Sequence, residues 1–343
     1  MSASGQASAS LPPKSNNAPL KKIISFYVRF TPSYSKIGFH ARSLFWRRLD
    51  ADFRGQTWLV VGGSEGIGGS AARSAVAAGA TVICVGRDPR KIEAFAGSTA
   101  HPQRVIGEVA DFSLVASVRE LAARLQDRGV KVHVLVNNVG IQKRDQILTR
   151  EGLETSFATN ILSHYLFTRE LLERGLLAED ATVIETSSGG MYNHPMVVKD
   201  LNITGSGYLG VRAYGLSKRA QVMLTEYWRR RFAGSQRRFY VMHPGWVDTA
   251  AVGRSMPRFR ETLKSVLRKD PQGADTIVYL AAARPPQKAD EAIWFDRKER
   301  AAHIFPRTRQ STETPESLVA YLDGYGGAPA PLGSRPAADR QGS

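Results

Sequence analysis

A chain of 343 residues, 42% of them hydrophobic, is long enough for one large domain or two small ones and can bury a sizeable core. Its formal charge of +16 suits an anionic partner, but the basic residues form no recognisable reading element, which argues against nucleic acid. A single cysteine, Cys84, excludes an internal disulfide and fits a reducing compartment. No uninterrupted apolar run reaches the ~18–20 residues that a membrane-spanning helix needs.

Residues 1–20, rich in Ser, Ala, Pro and Asn, are expected to form a disordered tail. Residues 21–54 form a basic, aromatic extension expected to pack on the surface of the domain that follows. Residues 1–49 hold Lys14, Lys21, Lys22, Arg29, Lys36, Arg42, Arg47 and Arg48 and no Asp or Glu. An acid-free, Ser-rich N-terminus resembles an organelle transit peptide. The alternative is a basic arm for peripheral contact with an anionic membrane, with Phe26, Tyr27 and Phe30 as anchors. A cytosolic location, or one peripheral to a membrane, is favoured.

From about residue 55 to 323 the pattern is that of a folded domain. T-W-L-V-V-G-G is an apolar run ending in glycine, the signature of a buried strand. T-V-I-C-V-G, R-V-I-G-E-V-A, V-H-V-L-V-N-N, A-T-V-I-E-T-S-S and R-F-Y-V-M-H-P-G follow as further strands, separated by helical patterns such as L-V-A-S-V-R-E-L-A-A-R-L. Apolar strands alternating with helices predict an α/β fold, a Rossmann-like doubly wound parallel sheet in a single domain. Residues 324–343 are Gly/Pro-rich and are expected to be a flexible tail.

Gly62, Gly66 and Gly68 lie between the first strand and a helix in G-G-S-E-G-I-G. Glycines there let the backbone turn tightly and approach a pyrophosphate at the helix N-terminus. Glu65 is expected to face solvent, away from any anion. At the end of the second strand, where an acid would bind the ribose hydroxyls of NAD, the chain has Gly86 and Arg87. Arg87 can pair with a 2′-phosphate, so NADP(H) is favoured over NAD(H). Asp88 is expected to start the next helix.

Tyr214 and Lys218 stand four residues apart in A-Y-G-L-S-K-R-A, on one face of a helix. No other tyrosine in the chain has a lysine at that spacing. An ammonium beside a phenol favours the phenolate, so Tyr214 is a candidate proton donor or acceptor.

Taken in order, these motifs resemble the short-chain dehydrogenase/reductase superfamily over roughly residues 55–305. The resemblance implies that Gly62, Ser64, Glu65, Gly66, Ile67 and Gly68 form the cofactor loop and that Asp111 and Phe112 in A-D-F-S lie at the adenine. It implies that Asn138 and Gly140 in N-N-V-G lie beside the cofactor, and that Pro244, Gly245, Val247 and Thr249 in H-P-G-W-V-D-T lie against the nicotinamide. Tyr214 and Lys218 are the implied acid/base pair, Lys218 also binding the nicotinamide ribose. Ser188 would hold the reacting oxygen, and Asn160 in F-A-T-N-I-L would hold a water linking Lys218 to solvent. Ser187 competes with Ser188, but adjacent strand residues point to opposite faces, and the family pattern favours Ser188. Val61 and Val139 depart from the family's usual threonine and alanine without removing a reacting group.

The implied activity is an NADP-dependent oxidoreductase interconverting a carbonyl and a secondary or primary alcohol, on an apolar or lipid-like small molecule. A homo-oligomer is expected from the family. The alternative is a cofactor-binding membrane-surface scaffold or redox sensor with little turnover. Met191, Tyr192, Trp246, Met256 and Phe259 are candidates to line an apolar pocket, within or beside a segment after Thr249 that reads as a lid. His194 and His243 read as structural, since no cluster with metal-ligand spacing surrounds either.

Overall fold

A computed structural model of the chain describes residues 30–288 and 290–326. The apolar runs form the strands β1 (Thr57–Val61), β2 (Thr81–Gly86), β3 (Val105–Val109), β4 (Val132–Asn137), β5 (Leu177–Thr186) and β6 (Arg238–Met242). Two shorter strands, β7 (Ala292–Phe295) and β8 (Lys298–Ala301), complete an eight-stranded sheet of order β3-β2-β1-β4-β5-β6-β7-β8. All neighbours are parallel except β7 and β8.

Strand alternation divides the core. Trp58 and Val60 pack on one side of the sheet with Ala71, Ala75 and Ile277. Leu59 and Val61 face the other side with Leu121, Ile161 and Leu216. With both faces covered, the central strands β1 and β2 are apolar after their first residue, which is why they read as continuous apolar runs. Helices α1 (Lys36–Ser43), α2 (Gly66–Ala77), α3 (Pro89–Gly97), α4 (Val115–Asp127), α5 (Ser163–Glu173) and α6 (Gly210–Arg231) are followed by the short α7 (Ala250–Ser255) and α8 (Pro257–Leu263), then α9 (Asp270–Ala283) and α10 (Pro315–Gly326). Asp88 starts α3 as expected, its carboxylate accepting from the Arg90 N–H at 3.0 Å. The last helix runs to Gly326, past the composition boundary at 324, and is held on α5 by Asp323, which accepts from Tyr165 Oη at 2.5 Å and from Arg169 Nη1 at 2.8 Å.

The β7–β8 hairpin was not among the elements read from the chain. Its turn residues, Asp296 and Arg297, take φ of 49° and 57°, values that Asn-Gly usually supplies. Distant side chains hold them there. Arg268, fully buried, pairs with Asp296 at 2.6 and 2.8 Å, and Arg297 pairs with Asp275 at 2.6 Å. Arg268 also donates to the carbonyls of Pro244 (3.0 Å) and Ser35 (3.3 Å), and Arg42 Nε reaches Asp296 at 2.7 Å. One guanidinium therefore joins the N-terminal segment, the Pro244 loop and the hairpin.

The described part of the extension is docked. Phe30 is buried against Tyr34 and Phe305, so it is packed inward and is no lipid anchor. The readings placed on residues 1–20, on Phe26 and Tyr27, and on the tail beyond Gly326 lie outside the described residues. Among the described residues, no helix is long and apolar enough to cross a membrane.

Candidate active site

Strand order reverses direction at β1 and β4, and a crevice opens there at the carboxyl ends of the strands. It forms a cleft of about 670 Å³. Every cofactor candidate read from the sequence lines it except Gly68, and of the four catalytic candidates Ser188, Tyr214 and Lys218 line it. Gly68 lies one layer below, where an added Cβ would sit 2.2 Å from the Gly62 carbonyl and 2.5 Å from Asn138 Nδ2. Its task is close packing of the loop on α2.

Gly62 and Gly66 take φ of 73° and 60°, conformations that side chains resist. Glu65 precedes α2 without a side-chain cap, so the first N–H groups of that helix remain available at the cleft wall. The Glu65 carboxylate turns outward to Lys91 at 2.8 Å, as expected. Arg87 lines the far end of the cleft, exposed and without a side-chain partner among the described residues. Uncapped helix N–H groups and the Arg87 guanidinium fit the phosphates of a dinucleotide. Lys91, which also lines the cleft and is paired with Glu65, was missed by the sequence reading; the run R-D-P-R-K carried its signal. Asp270, at the start of α9, was missed as well. Burial raises its pKa, and its Oδ1 has no hydrogen-bond partner.

Helix α6 presents Tyr214 and Lys218 to the cleft. Tyr214 is half-buried, and its hydroxyl lies beside the Ser188 side chain. Ser187 turns away, its Oγ donating to the Lys218 carbonyl at 2.8 Å, so the two serines do face opposite ways. Lys218 is 3% exposed and its Nζ donates to the Thr186 carbonyl at 2.8 Å. This corrects the expectation that the ammonium lowers the Tyr214 pKa. In the protein alone, burial raises Tyr214, opposed by the nearby Ser188 side chain. The ammonium, 5.8 Å from the ring centroid, is turned to the strand. Burial draws Lys218 itself down to about 8, against the pull of Glu185.

Asn160 stands behind the cleft wall in a π-helical turn, Ala158–Leu162, which leads into α5. Such turns widen the helix and recur at functional sites. Its amide is pinned to the backbone of Ile141, Oδ1 accepting at 2.8 Å and Nδ2 donating at 2.8 Å. Of the five apolar pocket candidates, only Met256, where α7 meets α8, lines this cleft, beside Ile141 and Val252. Met191 and Tyr192 are core residues packed with Tyr34 and Val241, and Trp246 and Phe259 pack on each other. The segment after Thr249 is helical, with Thr249 capping α7 and Asp248 paired to Arg260 at 2.5 Å. His243 is buried, stacked on Phe295, and drawn down to about 3, so it stays neutral and accepts from the Gly245 N–H at 3.1 Å.

A family model described as short chain dehydrogenase matches residues 56–258. The chain is 33% identical over 311 residues to dehydrogenase/reductase SDR family member 12 of Bos taurus, covering 89% of this chain and 97% of that protein. It is 31% identical over 275 residues to retinol dehydrogenase 13 of Homo sapiens, covering 78% of this chain and 81% of that one. A solved structure of a Mycobacterium paratuberculosis protein superposes with a TM-score of 0.63 at 26% identity, over 80% of this chain and 95% of its own.

Proposed function

The chain belongs to the short-chain dehydrogenase family and is an NAD(P)-dependent oxidoreductase acting on carbonyls or alcohols; from that premise we propose that it uses NADP(H) on an apolar, lipid-like or aromatic substrate. The observation that carries the site assignment is the meeting of Ser188, Tyr214 and Lys218 in one cleft with the glycine loop. Tyr214 gives its proton to the carbonyl oxygen in reduction and takes it back in oxidation. Ser188 orients that oxygen. Lys218 binds the ribose and brings its positive charge near the phenol. Asn160, fixed on Ile141, keeps the wall behind Lys218 rigid. The nicotinamide, when bound, supplies the two-electron transfer. Ile141, Val252 and Met256 suit an apolar substrate, in keeping with the retinol named for one relative.

Titration with NADPH and with NADH, followed by energy transfer from tryptophan, tests the cofactor assignment. NADPH is expected to bind more tightly. Arg87→Ala should weaken NADPH by on the order of tenfold or more while leaving NADH nearly unchanged. Equal losses for both cofactors would remove Arg87 from the 2′-phosphate site, and binding of neither would sink the assignment.

A second reading, peripheral contact with an anionic membrane, is favoured by Ile37, Leu44 and Phe45, which are 54%, 81% and 88% exposed. Lys36, Arg47 and Arg48 accompany them in a stretch free of acids. The scaffold alternative rests on the same patch. The protein should pellet with anionic but not zwitterionic vesicles, and Leu44→Ser with Phe45→Ser should abolish pelleting. Unchanged pelleting of that double variant would exclude this patch.

A further inference from the structure

Behind Lys218, on the side away from the cleft, Asn137, His164, Thr168, Glu185 and Gln221 meet with no more than 2% exposure each. Glu185 Oε1 accepts from Asn137 Nδ2 at 2.6 Å, and Oε2 lies 2.8 Å from His164 Nδ1. A carboxylate at that distance needs a hydrogen between the atoms. His164 Nε2, buried and without a partner, suits the bare nitrogen of a neutral ring. The proton therefore sits on Nδ1 and is donated to Glu185. Gln221 Nε2, 3.1 Å from the same Nδ1, then gives its hydrogen to the Asn160 carbonyl at 2.9 Å.

Glu185 is thus a buried carboxylate held by two neutral donors, with no Arg or Lys bonded to it among the described residues. A β-branched residue would pack this strand position without the desolvation cost of a charge. The next residue along β5, Thr186, supplies the carbonyl that receives Lys218 Nζ. The cluster meets α6 through Gln221, one turn beyond Lys218, which lies 3.1 Å from His164 Nδ1, and Tyr214 comes from α6 itself; the loop after β4 brings Gly140, where an added Cβ would lie 3.1 Å from Nζ. Of these side chains, Glu185 is the carboxylate.

We propose that Glu185, held by His164 and Asn137, is a positioning residue that keeps the Lys218 side chain charged and aimed along β5, beside the reacting groups. The proposal rests on the acid/base assignment of Tyr214 and Lys218. Burial drawing Lys218 down to about 8 while Glu185 opposes it agrees with this geometry.

The test is a pH titration of Lys218 by isotope-edited NMR of its ε-carbon, assigned through Lys218→Met. Glu185→Gln keeps the shape and removes the charge. It is expected to lower the Lys218 midpoint by roughly one pH unit or more and to move the alkaline limb of carbonyl reduction the same way. His164→Gln, which keeps a donor for Glu185 and leaves its charge in place, should leave the midpoint near the native value. A folded Glu185→Gln protein with an unmoved midpoint overturns the proposal, as does an equal shift in both variants, the mark of a merely structural role. Should Glu185→Gln fail to fold, the native midpoint decides: a value near the pH of about 5–6 at which buried, uncompensated lysines titrate would overturn it. The midpoint is read without turnover, whereas loss of activity in Tyr214→Phe tests the acid/base assignment, so either can fail alone.

Discussion

Tyr214→Phe is expected to lower turnover by about 10²–10⁴-fold, the usual contribution of a positioned proton donor. The ring that packs against Gly190, where an added Cβ would lie 3.3 Å from Tyr214 Cε1, is retained. Only the hydroxyl, beside Ser188, is lost. NADPH affinity should therefore stay within about twofold, since in the proposed assignment the phenol acts on the reacting oxygen while loop, helix and Arg87 hold the cofactor. Steady-state kinetics with a carbonyl substrate, beside fluorescence titration of the cofactor, separates the two effects. Wild-type turnover in the variant would remove Tyr214 from the chemistry.

Asp296→Ala should destabilise the fold by about 3–5 kcal/mol, the range for removing one partner of a buried ion pair. Arg268 is 1% exposed and would keep its charge without its bidentate partner, and Arg42 would lose the same carboxylate. Against total stabilities of about 5–15 kcal/mol this is a large fraction. The loss should also reach function. Arg268 donates to Pro244, and an added Cβ on Gly245 would lie 2.6 Å from its guanidinium, so the loop assigned to the nicotinamide rests on that side chain. Urea unfolding checks the first effect and cofactor titration the second. A stability change below about 0.5 kcal/mol, the range of ordinary surface substitutions, would show that the pair is replaceable.

Much of the site was legible because its chemistry is local. The glycines of the first turn, Asp88 as a helix cap, Arg87 at a strand end, the outward Glu65 and the opposed directions of Ser187 and Ser188 depend on backbone periodicity and turn geometry within a few residues. The pocket candidates Met191, Tyr192, Trp246 and Phe259 failed for the opposite reason. Apolar side chains look alike in sequence whether they line a cleft or fill a core, and only packing sends Met191 inward and Met256 to the cleft. The β7–β8 hairpin escaped notice because its left-handed turn is stabilised by Arg268, Arg42 and Asp275, and no Asn-Gly marks it.

The doubly wound sheet, the phosphate-type loop and the pairing of Tyr214 with Lys218 on one helix face were legible in the chain, since each follows from spacing along a single strand, turn or helix, whereas Ser188 came from the family pattern. The tertiary structure alone decided the electrostatics of that set. It turned Lys218 from the phenol to the Thr186 carbonyl, placed Glu185 behind it and drew the N-terminal segment onto Asp296. Charge and burial at a site are set by whichever distant residues the fold brings within a few ångströms, and spacing along the chain carries no record of them.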